Sequence, residues 1–371
     1  MDELTLLRKA RSNIAAPSEA ALTRGRAELF EKISAETHPA AASVSAGKSK
    51  AIRRISWASA GVLVAGALAT TLALTNVLGF AGWRGGADPA AADVLNSAAL
   101  ATIETSDPVV ANGQYLRVDT SAVYGATSVD EEGRAVSYLT INTDQLYVPS
   151  DRGGDWVWKR SLSKPHQFFG KESERVAWES YNSVVKEHGD DGELLQAPKG
   201  SFYGTPSPVS PSALADLPED PHQLLNHIYR ITLGQGNSPD GEALVFIADL
   251  LRSGVVPAEQ RAALYRAAAL IPGIEIVEEQ ATLDGRTGIA IGRYESADKT
   301  RQDIIIDPGT GHLIGERRVQ LEADWGYPAG TATAWTAVTT SVVDAAPTGG
   351  TPNGAMDEMG CTSTSPGSFQ C

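Results

Sequence analysis

The sequence predicts an α+β protein in which an N-terminal transmembrane helix leads into an extracytoplasmic, curved antiparallel sheet with inserted helices. Three observations carry this expectation. The stretch from Ile55 to Trp83 (ISWASAGVLVAGALATTLALTNVLGFAGW) contains no Asp, Glu, Lys, Arg or His. Beyond it, segments alternating at period two are joined by short turns, as in antiparallel strands. Midway through those strands come three consecutive segments with helical spacing, an arrangement that favours α+β over a βαβ array.

Residues 1–54 begin with MDELTLLRKARSNI, where Leu4, Leu7 and Arg8 fall along one or two helical turns. Pro17-Ser18 opens a second helix over 18–34, with Leu22, Leu29, Phe30 and Ile33 on one face and Arg24, Arg26, Glu28, Glu31 and Lys32 off it. The tract 38–50 (HPAAASVSAGKSK) is a linker by composition. An amphipathic helix with nothing local to pack against suits docking to a cytoplasmic partner or to the membrane surface; a partly disordered tail is the alternative.

Taken as helix, Ile55 to Phe80 extends about 39 Å, against roughly 30 Å of hydrocarbon, so it crosses a bilayer with tilt. A buried helix of that length in a soluble core would carry a polar stripe. Lys48, Lys50, Arg53 and Arg54 precede the segment and only Arg84 follows closely, which puts residues 1–54 in the cytoplasm and 84–371 outside. Ten Lys/Arg against six Asp/Glu give the first 54 residues +4, leaving −18 for the remainder of a chain whose net charge is −14. The apolar run exceeds a typical signal-peptide core and its leader is too long, so retention as an anchor is expected.

Roughly 285 residues remain outside, enough for a substantial core. Their acidity argues against nucleic acid and anionic membrane surfaces as partners. Asp88-Pro89 caps a helix through Ile103 whose face holds Leu95, Ala98, Ala99 and Thr102. Strands are expected over 116–124, 135–141, 146–149, 156–162 and 176–185, with Trp156 and Trp158 on one face. Residues 190–221 are rich in Gly, Pro and Ser and read as an irregular connection. Helices follow over 221–232, 239–253 and 257–271, the last with Leu264, Tyr265, Ala268 and Ile271 as its apolar face. Strands resume over 274–283 and 287–294 around Asp284-Gly285, a two-residue hairpin signature, and over 302–307, 312–322 and 331–343. Residues 345–371 form a flexible tail by composition. It holds the only two cysteines, Cys361 and Cys371, for which a disulfide closing a small terminal ring is expected outside the cell; free or intermolecular thiols are the alternatives.

The sequence carries no recognisable catalytic or metal-binding signature. The first 54 residues have no Cys and only His38, which excludes a zinc-binding anti-sigma motif. His222 and His227 do not share a helix face, and His166 and His188 sit in turn-rich contexts. There is no G-x-S-x-G elbow and no phosphate-binding glycine loop. Asp298-Lys299-Thr300 lacks the glycine of a phosphorylated-aspartate motif, and Asp190-Asp191-Gly192-Glu193 reads as a solvated loop rather than a calcium site. No catalytic residue, cofactor or metal is assigned.

Two resemblances add to these observations. A helix leading into a curved sheet, with more helices inserted midway, resembles the lipoprotein-localisation-factor type of half-barrel, a likeness of fold alone. The block from Val255 to Glu316, carried by PAEQRAALYRAAALIPGIEIV (257–277), DGRTGIAI (284–291) and IIIDPGTGHLIGE (304–316), resembles an uncharacterised actinobacterial family of single-pass membrane-anchored proteins. MDELTLLRKAR at the start and residues 91–118 fit the same layout. The family is often encoded beside extracytoplasmic-function sigma factors, so the resemblance implies a cytoplasmic sigma factor as partner. It brings no catalytic residues, and the Cys361/Cys371 tail is foreign to it. The expected function is a non-catalytic membrane protein sensing an apolar envelope ligand or a partner. The alternatives are a lipid-binding or structural envelope protein without signalling, and an envelope hydrolase built on dispersed carboxylates.

Overall fold

The computed structural model describes residues 85–105, 107–129 and 133–354, and the backbone of 362–365 and 368–370. The expected cytoplasmic helices, the span 55–83 and both cysteines lie outside the described residues. Among the described residues, no helix is long and apolar enough to cross a membrane.

In chain order the elements are α1 (Pro89–Thr105), β1 (Tyr115–Val129), β2 (Ala135–Pro149), β3 (Asp155–Arg160), β4 (Lys164–Phe168), α2 (Lys171–His188) and β5 (Glu193–Pro198). Then come α3 (Pro211–Ala215), α4 (Pro221–Ile231), α5 (Pro239–Arg252) and α6 (Ala258–Ala268). The chain continues as β6 (Ile274–Leu283), β7 (Arg286–Glu295), β8 (Thr300–Ile306), β9 (Leu313–Gln320), β10 (Ala332–Val343) and β11 (Thr351–Pro352), with a small hairpin of β12 (Thr362–Ser365) and β13 (Ser368–Gln370). Eleven strands form one open sheet in the order β11-β5-β3-β2-β1-β10-β9-β8-β7-β6, with β4 beside β2. The protein is therefore α+β, with a large sheet that does not close on itself. Among the described residues, only the β11–β5 pair is parallel.

Each hairpin has a local cause. Asp284 and Gly285 take φ of 48° and 75°, the left-handed pair a type I′ turn needs to join β6 and β7. Between β8 and β9, Asp307 Oδ1 accepts from Gly309 N at 2.9 Å and Oδ2 from the Thr310 hydroxyl at 2.9 Å. That turn docks on α1, where the Thr102 hydroxyl donates to Gly311 O at 2.9 Å. A Cβ at Gly311 would lie 2.2 Å from Ala98 O, so the close approach requires glycine.

One sheet face is covered by α1, α3, α4, α5 and α6. Leu95, Leu224, Ile228, Leu244, Ile247, Leu264, Tyr265 and Ile271 form one core with Leu116, Val118, Ile291, Ile304 and Ile306 from the strands. The opposite face carries two smaller clusters, around Ile305 and Ile314 and around Val123 and Leu139. There Asp303, fully buried, takes a bidentate bond from Arg301 (2.7 and 3.0 Å) and a third from Arg317 (2.8 Å).

Several expectations are corrected. The expected strand over 176–185 lies inside α2, an eighteen-residue helix. Its alternating VAWESYNSVV imitates a strand, yet only Ser173 and Ala177 are buried, and Arg175 links Glu172 and Glu179 at helical spacing. Acidic residues in its first turn and basic ones in its last suit the helix dipole. The two strands expected over 135–141 and 146–149 are one, because β2 pairs with β1 without a break from Ala135 to Pro149. The region expected as an irregular connection contains β5 and α3, and β4 lies where no strand is expected. Within the expected tail, Thr351 and Pro352 pair with β5, and Asn353 N donates to Gln196 O at 2.8 Å.

Because Leu264 is fully buried between helices and sheet whereas Leu100 on α1 is 57 % exposed, the two leucines should differ sharply on truncation. Leu264→Ala is expected to cost about 2–5 kcal/mol and Leu100→Ala no more than about 0.5 kcal/mol in denaturant unfolding.

Candidate functional site

A cavity of about 350 Å³ opens on the helix-covered side of the sheet. Its walls come from the segment after α1 (Asp107 to Val110), the loop after β2 (Arg152), the α5–α6 connection (Gly254 to Val256), Arg261 of α6, Arg286 of β7 and the β8–β9 turn (Asp307, Thr310, His312). Leu116, Leu251, Leu313 and Val338 supply apolar surface.

Asp107 organises the helix side. Helix α6 starts at a proline and lacks a cap from its own side chains. Asp107 supplies one from a distant segment: its Oδ2 accepts from Ala258 N at 2.8 Å. Its Oδ1 pairs with Arg261 Nη1 at 2.6 Å, and the same nitrogen donates to Val256 O at 2.7 Å. Arg261 Nε and Nη2 are buried without a partner among the described residues, as is the Tyr265 hydroxyl one turn along. Such groups cost about 1–3 kcal/mol each unless water or a ligand reaches them.

The other two guanidinium groups are held by main chain. Arg152 Nη1 donates to Val255 O at 2.7 Å, while the Trp156 indole N–H fixes the Arg152 carbonyl at 3.1 Å. Arg286 Nη2 donates to Ile314 O at 2.7 Å and Val338 O at 2.6 Å. Burial draws both arginines below the usual guanidinium value. Neither has a carboxylate within ion-pair distance among the described residues. Burial, then the neighbouring Arg261 charge, lowers His312, which is therefore neutral at pH 7. At that pH the cavity holds three guanidinium groups against the carboxylates of Asp107 and Asp307. Asp107 is committed to Arg261 and Ala258 N, and Asp307 to its own turn, which leaves uncommitted charge of positive sign.

The residues singled out in the sequence lie elsewhere. Trp156 is core and Trp158 is not: the latter packs against Phe202 at 5.2 Å between ring centres, with the Arg160 guanidinium 4.6 Å over its ring. His166, His188 and His222 are exposed, and His227 is half-buried on α4. Asp298 serves the β7–β8 turn, accepting from the Thr300 hydroxyl at 2.7 Å and pairing with Arg318. Glu193 of the acidic Asp190–Glu193 stretch pairs with Arg160 at 2.9 Å. No cluster of three or more His, Cys, Asp or Glu with metal-binding proximity occurs among the described residues. A broader cleft of about 460 Å³ includes Asp119, Gln145, Lys159 and Lys164. Asp119 there is already bonded by Arg117 and Gln145, both at 2.8 Å.

A separate half-buried carboxyl, Glu316 on β9, faces α5. Arg252 Nε lies 2.9 Å from its Oε1 and Gln302 Nε2 donates to Oε2 at 2.8 Å, while Asp249 competes for Arg252 at 2.7 Å. Burial pushes Glu316 from 4.5 up to about 7, with Arg252 opposing the rise. A raised carboxyl value means that the folded state holds the proton more tightly. Stability from this group is full below about pH 4.5 and falls by roughly 3 kcal/mol as pH climbs to about 7. Unfolding of Glu316→Gln measured over that range should lack this fall; equal slopes in both proteins would contradict it.

The chain matches no family model and no curated protein. Among solved structures, it is similar to a DUF1329 family protein from Desulfovibrio piger, at 9 % identity over 69 % of this chain and 93 % of that one. The TM-score is 0.17, so the likeness carries no argument.

Proposed function

We propose that the chain is a non-catalytic single-pass membrane protein whose extracytoplasmic α+β domain binds an apolar envelope ligand or a partner. Residues 55–83 are its anchor, and residues 1–54 report the bound state inside, with a cytoplasmic sigma factor as their partner. The observation that supports this is the uncharged span with Lys48, Lys50, Arg53 and Arg54 before it and Arg84 alone close behind, a pattern that favours lipid as its environment and residues 1–54 on the inside. The ligand half is supported by the cavity under the helices, with Leu116, Leu251, Leu313 and Val338 around it. An open antiparallel sheet covered on one face by helices is also the arrangement a half-barrel of the lipoprotein-localisation-factor type would need.

A second function has its own support in that apolar lining: an envelope lipid-binding or structural protein in which residues 1–54 do no more than anchor.

Fractionation tests the location. The full-length chain should pellet with membranes, resist carbonate and high salt, and dissolve only in detergent, and a C-terminal reporter that works only outside the cytoplasm should be active. Recovery in the soluble fraction would refute the anchor. Capture with residues 1–54 should then retain a sigma factor; an anchored chain that retains none is the lipid-binding or structural protein instead.

A further inference from the structure

We propose that the cavity beneath the helices takes an anionic amphiphile, its carboxylate or phosphate head between the Arg152 and Arg286 guanidinium groups and its apolar body along Leu116, Leu251, Val255, Val256, Leu313 and Val338. This specifies the ligand class of the binding function proposed above and rests on it.

The charge balance of the cavity selects the sign of the ligand. Both carboxylates are consumed: Asp107 by Arg261 and the first N–H of α6, Asp307 by Gly309 N and the Thr310 hydroxyl. Arg152 and Arg286 are half-buried and pinned by main-chain carbonyls, with no carboxylate partner among the described residues. A cation brought here would face three guanidinium groups. A carboxylate or phosphate would supply the planar, bidentate partner that a guanidinium matches, in a setting where water is partly excluded. Arg261 adds a further observation: it is 8 % exposed, lines the same cavity, and leaves Nε and Nη2 without partners. The pinning also means that little side-chain ordering remains to oppose binding.

The six apolar residues make a free inorganic anion an incomplete fit. They come from β1, α5, the α5–α6 connection, β9 and β10, so the apolar wall is built by the same core that holds the helix layer on the sheet. At about 350 Å³ the space suits a short chain or a single ring rather than a complete diacyl lipid.

The test uses the full-length chain in phosphatidylcholine nanodiscs, with empty nanodiscs subtracted, and calorimetric titration of three probes: decanoate, decanol and inorganic phosphate. Saturable one-to-one binding of decanoate, at least tenfold tighter than decanol and than phosphate, is expected. Equal binding of decanoate and decanol would overturn the anionic head, and phosphate binding as tightly as decanoate would overturn the amphiphile. Arg152→Gln and Arg286→Gln should each weaken decanoate at least tenfold; unchanged affinity in both would also overturn the proposal. Arg286 bonds two strands and its loss can unfold the domain, so melting is checked for each variant, and the comparison of probes on the unaltered chain requires no variant. Failure here with the protein still in the membrane removes only the ligand chemistry, whereas a soluble chain that binds decanoate removes only the membrane location.

Discussion

The bond between Asp107 and Arg261 is the interaction on which the helix-covered side of the protein depends. The eleven-stranded sheet has no closed edge and must bury one face under α1, α3, α4, α5 and α6. Those helices come from two distant parts of the chain. Asp107, just past α1, reaches over to α6, where it caps Ala258 N and pairs with Arg261. The first helix is thereby joined to α6, the last of the inserted group, across a separation of 151 residues. The charged contact fixes the end of α1 against the start of α6, because Arg261 is desolvated and tolerates few positions for its partner, while Ala87 N donating to Ala269 O at 3.0 Å fixes the opposite ends.

That placement shapes the cavity. With α6 set by Asp107, the α5–α6 connection presents Val255 O to Arg152 and Val256 O to Arg261. On the other wall, Arg286 bridges the carbonyls of β9 and β10 from the start of β7. The cationic lining is therefore a by-product of how helices and strands are fastened, and two of the three guanidinium groups lack a carboxylate because neutral carbonyls fasten them. Had carboxylates done that work, the cavity would be electrically satisfied. The sheet's other face shows that alternative, where Asp303 is enclosed by Arg301 and Arg317 and nothing remains to be offered.

Most of the helix layer was legible in the sequence. Leu95, Ala98, Ala99 and Thr102 on α1, and Leu264, Tyr265, Ala268 and Ile271 at the end of the helical group, are all buried as their spacing demands. The hairpin at Asp284-Gly285 was legible because only a few residue pairs accept two left-handed positions in succession. Helix α2 was not. Only two of its residues are buried, and the alternation over 176–185 conceals the helical spacing that its surface ion pairs share. The continuity of β2 was hidden by Asn142, Thr143 and Asp144, polar residues that look like a turn until β1 is known to run beside them. The site itself was partly visible. Arg261 lies three residues before Leu264 and four before Tyr265, so it falls on the buried face of α6, and a charge there needs a partner. Asp107, Arg152, Arg286 and His312 left no such trace, since they lie in loops and at strand ends and are united only by the fold.

A double-mutant cycle on Asp107 and Arg261 tests the central interaction most directly. Unfolding of Asp107→Asn, Arg261→Gln and the double variant is compared with that of the unaltered protein. If the pair sets the helix layer, each single change is strongly destabilising and the double variant loses less than their sum, giving a coupling energy of at least about 1 kcal/mol. Additive losses would mean that the two residues act independently and that apolar packing and the Ala87 N to Ala269 O bond position α6 without them.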